Sequence, residues 1–125
     1  MYTLKIEGAF EAAHHVAGYP GKCARLHGHN WVVEAVVKGK ELDELGMLID
    51  FKVMKKELAD VLERFDHRYL NELKPFADGV NPTAENLARI IFEELACRKV
   101  FERDSVLYAI TVFESPKSSV TYTKD

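Results

Sequence analysis

The hydrophobic pattern of this chain changes its period twice, and that order restricts the folds open to it. Residues 2–14 alternate between apolar and polar side chains, which is the period of a β-strand. Residues 50–65 and 83–97 repeat every three to four positions instead, as amphipathic helices do. Segments 27–38, 105–114 and 118–124 return to β-branched and aromatic strand character. The pattern predicts an α+β fold in the order ββααββ, with residues 1–125 forming a single domain.

Both predicted helices have a capping residue at the start. Asp50 is placed to cap a helix that runs to about Phe65, and Thr83, after Asn81-Pro82, is placed to cap a second helix that fades near Cys97. The apolar stripe of the first helix is predicted to contain Phe51, Met54, Leu58, Val61, Leu62 and Phe65. The second helix is predicted to bury Leu87, Ile91 and Leu95.

The middle strands are apolar on both sides, which two helices cannot fully cover. In the second strand Trp31, Val33 and Val37 oppose Val32 and Val36. In the third strand alternation sets Val106, Tyr108, Ile110 and Val112 against Leu107, Ala109 and Phe113. A four-stranded sheet with helices on one face leaves its other face open, so the sequence predicts a homo-oligomer.

Charge and hydropathy narrow the class of partner. The net charge is −3, which argues against a surface that tracks nucleic-acid phosphates. No apolar run approaches the roughly 18 residues needed to cross a bilayer, and no basic segment precedes an apolar block near the start. We therefore expect a cytoplasmic protein without a membrane or nucleic-acid partner. Lys22 and Arg25 either attract an anionic substrate or belong to a solvated loop.

Four of the five histidines lie within residues 14–29, a concentration that suggests a metal site. His27 and His29 begin the second strand, where a period of two places both imidazoles on one side. His14 ends the first strand and approaches them if the two strands form a hairpin. Three imidazoles and an open fourth position are typical of a catalytic zinc site. His15 points away from His14 in a strand, so we interpret it as a solvated or packing residue.

The two cysteines have different surroundings. Cys23 lies in a glycine-containing loop beside Lys22 and Arg25 and four residues before His27, as expected for a reactive thiol. It is either a fourth zinc ligand or a free thiolate near the metal. Cys97, near the end of the second helical pattern, is predicted to be a small core residue.

Two acidic positions remain ambiguous when the residues are considered alone. Asp66-His67 is either an acid–histidine pair for proton transfer or a helix end where the histidine satisfies free carbonyls. Glu114 ends an apolar strand and by itself resembles an ordinary exposed acid.

Taken together, these motifs resemble the 6-pyruvoyl-tetrahydropterin synthase / 6-carboxy-tetrahydropterin synthase family. The resemblance spans essentially the whole chain, and its combined pattern is specific although each piece alone is not. It is carried, in order, by Phe10–His14 (FEAAH), Cys23–His29 (CARLHGH), Asp50-Phe51, Asp66–Asn71 (DHRYLN), Asn81–Asn86 (NPTAEN) and Phe113-Glu114.

The resemblance implies a tunnelling fold, in which a four-stranded antiparallel sheet carries two helices on one face. Subunits then join their sheets into a barrel, commonly as a hexamer of two trimers. This expectation agrees with the open apolar face derived above.

The resemblance also implies roles for the candidate residues. His14, His27 and His29 would bind zinc, and Cys23 would be the catalytic thiol. Asp66 and His67 would complete the proton relay. Glu114 would anchor the pterin ring, with Thr83 and Glu85 close to it.

The implied reaction is that of a lyase acting on 7,8-dihydroneopterin triphosphate. Three residues separate Cys23 from His27, which resembles the branch that makes 6-carboxy-tetrahydropterin for queuosine and other 7-deazapurines. The sister activity, 6-pyruvoyl-tetrahydropterin synthase, uses the same substrate without cleaving a carbon–carbon bond. An alternative of another class is a non-catalytic oligomer that binds zinc or pterin.

Overall fold

The computed structural model describes residues 1–125, except for the side chain of Cys23. Its five strands are β1 (Tyr2–His14), β2 (His27–Gly39), β3 (Arg68–Tyr69), β4 (Val106–Ser115) and β5 (Ser118–Tyr122). Its two α-helices are α1 (Phe51–Leu62) and α2 (Ala84–Ala96). Short 3-10 turns occupy Lys22–Ala24, Leu70–Glu72 and Phe76–Asp78. In the described part of the chain, neither helix is long and apolar enough to cross a bilayer.

The strands form one sheet in the order β3-β1-β2-β4-β5. Strands β1 and β2 make a long antiparallel hairpin whose register runs from Tyr2 opposite Gly39 to His14 opposite His27. Strands β2, β4 and β5 continue the antiparallel pairing. The four predicted strands are therefore present. Strand β3 adds a fifth, parallel strand at the β1 edge, and two residues are too few to carry a hydrophobic period.

Both predicted helix caps are confirmed. The Asp50 carboxylate accepts a hydrogen bond from the Lys52 backbone N–H at 2.8 Å, and the Thr83 hydroxyl accepts one from the Asn86 N–H at 3.2 Å. Such a cap satisfies a backbone donor that has no partner inside the helix, and is worth about 1 kcal/mol. Helix α1 ends at Leu62, before the predicted Phe65, yet the Phe65 side chain is still fully buried.

The core lies between the sheet and the two helices. Helix α1 packs against β1, and α2 packs against β4 and β5. The rings of Phe10 and Trp31 stack across the β1–β2 pair with centroids 5.9 Å apart. The largest fully buried side chains include Trp31, Phe65, Met54, Leu58, Leu70, Leu87, Ile91 and Leu95.

Two predictions about this core are wrong. Phe51 is 58% exposed, although the helical period places it on the apolar stripe of α1. Phe51 is the first residue of the helix. The helical period shows which residues share a face, but it does not show at which residue the packing of that face ends. Cys97 is an exposed free thiol rather than a core residue. It lies at the C-cap of α2, off the stripe that Leu87, Ile91 and Leu95 form.

The predicted faces of β4 are also partly wrong, because a bulge interrupts its alternation. Val37 pairs with Leu107 while Val36 pairs with Ala109, so Tyr108 is an extra residue. Beyond such a bulge the side chains change face. Leu107 therefore joins Ile110 and Val112 in the core, whereas Val106 and Tyr108 are 56% and 46% exposed.

The sheet face opposite the helices is divided in composition. On its β1 side, the residues that point away from the helices include the charged residues Lys5, Glu7 and Glu11. Its β2–β4 side carries the apolar residues Val32, Val36, Ala109 and Phe113. The apolar second face predicted from the sequence is therefore confined to half of the sheet. The homo-oligomer inferred from it stays a prediction.

Candidate active site

The β1–β2 hairpin brings the three predicted metal ligands together. His14 lies opposite His27, and His29 lies two residues further along β2 on the same, helix-covered face. Their ligand atoms all lie within 4.8 Å of one another. His14 Nε2 and His27 Nε2 are 3.0 Å apart, close to the roughly 3.4 Å expected for two nitrogens bound tetrahedrally to one zinc. The cluster follows from the register of a single hairpin.

Backbone carbonyls orient two of the rings. Nδ1 of His14 lies 2.7 Å from the Pro82 carbonyl oxygen, and Nδ1 of His27 lies 2.7 Å from the Arg25 carbonyl oxygen. A carbonyl can only accept, so Nδ1 carries the proton in both rings. Nε2 of each neutral ring then presents a lone pair, and the two lone pairs face each other. A shared cation removes that repulsion, and hydrogen bonds from the other ring nitrogen to a carbonyl commonly orient histidines that bind metals.

His29 supplies the third donor. Its Nε2 is buried and has no hydrogen-bond partner among the described side chains, although buried polar atoms are nearly always paired. The nearest carboxylate is that of Glu114, with Oε1 3.7 Å from His29 Nε2 and Oε2 3.9 Å from His14 Nε2. An orphaned nitrogen beside two other free lone pairs fits a site for a metal ion.

Burial favours the neutral, metal-binding form of these rings. Loss of solvation lowers the pKa of His14, which is 1% exposed; the Pro82 hydrogen bond opposes this shift and the neighbouring histidines add to it. Burial likewise lowers the pKa of His29, against the opposing charge of Glu114. A neutral imidazole is the species that binds zinc.

Trp31 forms part of the packing around the three rings. Its ring centroid lies 5.0 Å from that of His14 and 5.1 Å from that of His29. Trp31 is fully buried, and its indole N–H donates to the Ala12 carbonyl at 3.2 Å. Packed strands therefore position the three histidines, while the carbonyls of Arg25 and Pro82, which lie in loops, orient two of the rings.

Thr83 and Glu85 lie at the start of α2, next to the segment that contacts His14. The Thr83 hydroxyl caps the helix, and the carbonyl of the preceding Pro82 accepts the hydrogen bond from His14 Nδ1. Glu85 is exposed in the first turn of α2. Thr83 thus directly follows the residue whose carbonyl contacts His14, and Glu85 makes no contact with the three histidines among the described hydrogen bonds and ion pairs.

Asp66 and His67 form a second, separate cluster. Asp66 Oδ1 accepts from the Glu11 backbone N–H at 2.9 Å and lies 3.0 Å from His67 Nδ1. These hydrogen bonds, that of the Glu11 backbone first, lower the pKa of Asp66. Asp66 in turn raises the pKa of His67. The ring of His67 therefore contacts carboxylates instead of helix-terminal carbonyls, which favours the acid–histidine interpretation over the helix-end one.

This second cluster lies on the other side of the hairpin from the three histidines. Glu11 points to the sheet face without helices, because it alternates with Ala12, which pairs with the predicted ligand His29. His67 Nε2 lies 3.3 Å from Glu11 Oε2, so its ring is on that outer face too. Within one chain the structure does not bring Asp66 and His67 into the three-histidine cluster.

Cys23 lies in the β1–β2 loop, within the 3-10 turn Lys22–Ala24. Its side chain lies outside the described part of the structure, so its role as thiol or ligand stays a prediction. The flanking Lys22 and Arg25 are exposed, which suits both a substrate-attracting loop and a merely solvated one.

Sequence reasoning missed the residues that fix the start of this loop. The Asn71 amide accepts from the His15 N–H at 3.0 Å and donates to its carbonyl at 3.1 Å. Asn81 makes the same pair of bonds to Ala17, both at 3.1 Å. His15 itself contacts the Tyr69 hydroxyl through Nδ1 at 2.5 Å, so it is a packing residue. Both asparagines lie within the quoted motifs, but nothing in the sequence pointed to their partners.

Comparisons with known proteins agree with this architecture. The family model described as PTPS, 6-pyruvoyl tetrahydropterin synthase, matches residues 3–125. The solved structure of Caenorhabditis elegans 6-pyruvoyl tetrahydropterin synthase is similar at a TM-score of 0.84 and 34% identity, covering 99% of this chain and 96% of that one.

Curated relatives carry two different product names. A 6-carboxy-5,6,7,8-tetrahydropterin synthase of Rickettsia bellii is 36% identical, over 94% of this chain and 96% of its own length. A 6-pyruvoyl tetrahydrobiopterin synthase of Dictyostelium discoideum is 33% identical, over 82% of this chain and 73% of its own length. The fold, the length of the match and these relatives lead to one conclusion: this chain belongs to the 6-pyruvoyl tetrahydropterin synthase family.

Proposed function

We propose that this chain is a zinc-dependent 6-carboxy-5,6,7,8-tetrahydropterin synthase, a lyase. In this proposal it converts 7,8-dihydroneopterin triphosphate and one water molecule to 6-carboxy-tetrahydropterin, acetaldehyde and triphosphate, as a step toward queuosine and other 7-deazapurines. The observation that carries it is the cluster of three neutral imidazoles with convergent Nε2 atoms, in a chain of a pterin synthase family. Residues 1–125 act as one domain, and the cytoplasm is the expected compartment.

His14, His27 and His29 would hold the zinc, because three neutral nitrogen donors suit Zn²⁺ and leave its fourth position open. When bound, zinc would act as a Lewis acid toward the side-chain oxygens of the substrate and acidify the neighbouring bonds. The carbonyls of Pro82 and Arg25 would keep the His14 and His27 rings in the metal-binding tautomer.

The remaining candidate residues would move protons and hold the pterin. Cys23, as a thiolate, would remove a proton from the side chain of the substrate. His67, oriented by Asp66, would return one. Glu114 would accept two parallel N–H bonds from the pterin ring, and its half-exposed carboxylate lies beside His29. Thr83 and Glu85 would lie near the ring.

The positions of the two clusters favour an active site shared between copies of the chain. The metal cluster lies on the helix-covered face, whereas His67 contacts Glu11 on the opposite face. We therefore propose a homo-oligomer, a hexamer of two trimers, in which His67 of one copy acts on substrate bound at another copy. Separately inactive His27→Ala and His67→Ala proteins should regain activity when they are mixed and reassembled. No recovery in a mixed oligomer, or a monomer by sedimentation at micromolar concentration, would contradict this.

The product is the finer part of the proposal. The Cys23–His27 spacing and the resemblance support carbon–carbon cleavage, while the relatives carry both product names. Incubation with dihydroneopterin triphosphate, followed by mass spectrometry of the pterin and an acetaldehyde assay, separates the two reactions. Stoichiometric acetaldehyde with 6-carboxy-tetrahydropterin supports our assignment. 6-Pyruvoyl-tetrahydropterin without acetaldehyde assigns the sister activity.

The same experiment tests the non-catalytic alternative. A zinc- or pterin-binding oligomer would bind the substrate and return it unchanged. Its affinity would not change in Cys23→Ala or His67→Ala, and there would be no turnover for these substitutions to abolish.

A further inference from the structure

The Asp66–His67 pair has a third member that none of the roles above includes. We propose that Glu11 is a positioning residue of the proton relay, which holds the Nε2 side of His67 and keeps the ring ready to donate a proton. This inference rests on the proposed function, since it gives His67 the role of a proton donor.

Glu11 contacts the pair through three different groups. Its backbone N–H donates to Asp66 Oδ1 at 2.9 Å. Its backbone carbonyl accepts from the His67 N–H at 2.6 Å. Its carboxylate Oε2 lies 3.3 Å from His67 Nε2. One residue of β1 thus fixes the acid, the backbone of the histidine and the ring nitrogen that Asp66 leaves free.

The backbone of His67 shows that this arrangement is imposed by the surroundings. His67 has a φ angle of 56°, in the left-handed region that residues other than glycine seldom adopt. Such a conformation costs free energy and persists only where neighbouring contacts hold it, most often at functional sites. Here the hydrogen bond from the His67 N–H to the Glu11 carbonyl ties that backbone to β1.

The two ring nitrogens of His67 each face a carboxylate. Nδ1 lies 3.0 Å from Asp66, and Nε2 lies 3.3 Å from Glu11. A ring with an acceptor at both nitrogens is best satisfied when both carry protons. The charged groups around His67 are Asp66, Glu11 and Glu63, with the cation Arg68 next in the chain. Asp66 is the main cause of the raised pKa of His67, and Glu11 and Glu63 add to it.

A cavity lies beside this cluster on the sheet face without helices. It has a volume of about 570 Å³ and is lined by Glu11, His67 and Arg68 together with His29, Asn30 and neighbouring residues of the hairpin. The ring of His67 therefore borders a space on the outer sheet face, where in the proposed oligomer it acts on substrate bound at another copy. Since Asp66 occupies Nδ1, Nε2 is the nitrogen that delivers the proton, and Glu11 is the side chain placed to orient it.

The test is the substitution Glu11→Gln in the full-length, zinc-loaded protein. Gln removes the charge but keeps the length of the side chain and both backbone contacts. The matched control is Glu7→Gln, because Glu7 is an exposed acid on the same face of the same strand. Glu11→Asp is the conservative variant. The readouts are the pKa of His67 from its imidazole NMR signals, and kcat and KM across pH.

We expect Glu11→Gln to lower the pKa of His67 and to move the alkaline limb of the kcat profile to lower pH. We expect kcat to fall by about tenfold with KM changed less than about twofold, since a misplaced catalytic group affects mainly the chemical step. Glu11→Asp should recover part of both effects, and Glu7→Gln should resemble the unsubstituted protein.

An unchanged His67 pKa in Glu11→Gln, or an equal shift in Glu7→Gln, would overturn the role of Glu11. The NMR titration needs no turnover, so this outcome is separate from failure of the proposed function. An unsubstituted protein that leaves dihydroneopterin triphosphate unchanged would refute the function itself.

Discussion

Both clusters of this protein contain histidine, but the surroundings shift the histidine pKa in opposite directions in the two clusters. His14 and His29 are buried on the helix-covered face, where loss of solvation lowers the pKa of each ring. His67 is exposed on the other face, where the carboxylate of Asp66 raises its pKa. Burial therefore favours the neutral imidazole that a metal site requires, and a neighbouring carboxylate favours the imidazolium that a proton donor requires. The difference shows that surroundings, rather than residue type, assign the chemistry of each histidine.

Removal of one ring from the buried cluster should have the largest effect. We expect His27→Ala to lose most of the bound metal, with affinity reduced more than about 100-fold, beyond the usual effect of a supporting residue. The unsubstituted chain should hold about one zinc, by its three-histidine donor set. Metal analysis after dialysis measures both values.

His15→Ala is the control for this experiment, because His15 is adjacent to His14 but contacts Tyr69 instead of the metal cluster. It should retain zinc. Full zinc retention in each of His14→Ala, His27→Ala and His29→Ala would show that the cluster is not a metal site.

Cys23→Ala tests whether the loop thiol belongs to the metal cluster or acts beside it. We expect zinc and fold to be kept while kcat falls at least about 100-fold, the scale of a positioned proton-transfer group. Cys97→Ala, which removes the exposed thiol at the end of α2, should change neither. Loss of zinc in Cys23→Ala would instead identify a four-ligand structural site.

Asp66→Asn tests the exposed cluster alone. The carboxylate of Asp66 raises the pKa of His67, so its neutralisation should lower that pKa and reduce the imidazolium fraction near neutral pH. The alkaline limb of the kcat profile should then move to lower pH, with kcat down by roughly 10- to 100-fold. Zinc content should stay constant, because the carbonyls that orient His14 and His27 are elsewhere. A parallel loss of zinc would mean that the two clusters are not independent.

Asn81→Ala should have the smallest effect of these substitutions. We expect it to change the stability of the β1–β2 loop rather than the metal content or the pKa of His67. Its side chain makes two hydrogen bonds to the backbone of Ala17 at the start of the β1–β2 loop. Their loss should lower the free energy of unfolding by about 1–2 kcal/mol, measured by urea denaturation. Asn81→Asp keeps the acceptor and loses the donor, so its free energy of unfolding should lie between those of the unsubstituted protein and Asn81→Ala. Unchanged stability in both variants would show that the loop is held by other contacts.

Much of this architecture was predictable because its signals are local. The alternation of β1, the stripe of α2 and the caps Asp50 and Thr83 each depend on residues a few positions apart. The spacing of His27 and His29 likewise places them on one side of a strand. His14 joins them because β1 and β2, connected by one loop, form a hairpin.

The errors arose where a distant partner decides the outcome. Phe51 satisfies the helical period, but its exposure depends on where the packing surface ends. The bulge at Tyr108 depends on pairing with β2, and it reverses the faces that simple alternation predicts. Strand β3 exists because the segment after α1 passes along β1.

The sequence by itself determined the order of the four long strands and the two helices, and the residue types available for chemistry. The tertiary structure decided which of those residues meet. It sets Pro82 against His14, buries His29 Nε2 without a hydrogen-bond partner among the described residues, and places Glu11 beside His67 Nε2. The physical reason is that hydrophobic periodicity depends only on residues within one strand or helix. Protonation and metal binding depend on burial and on charged groups that folding brings near from distant parts of the chain.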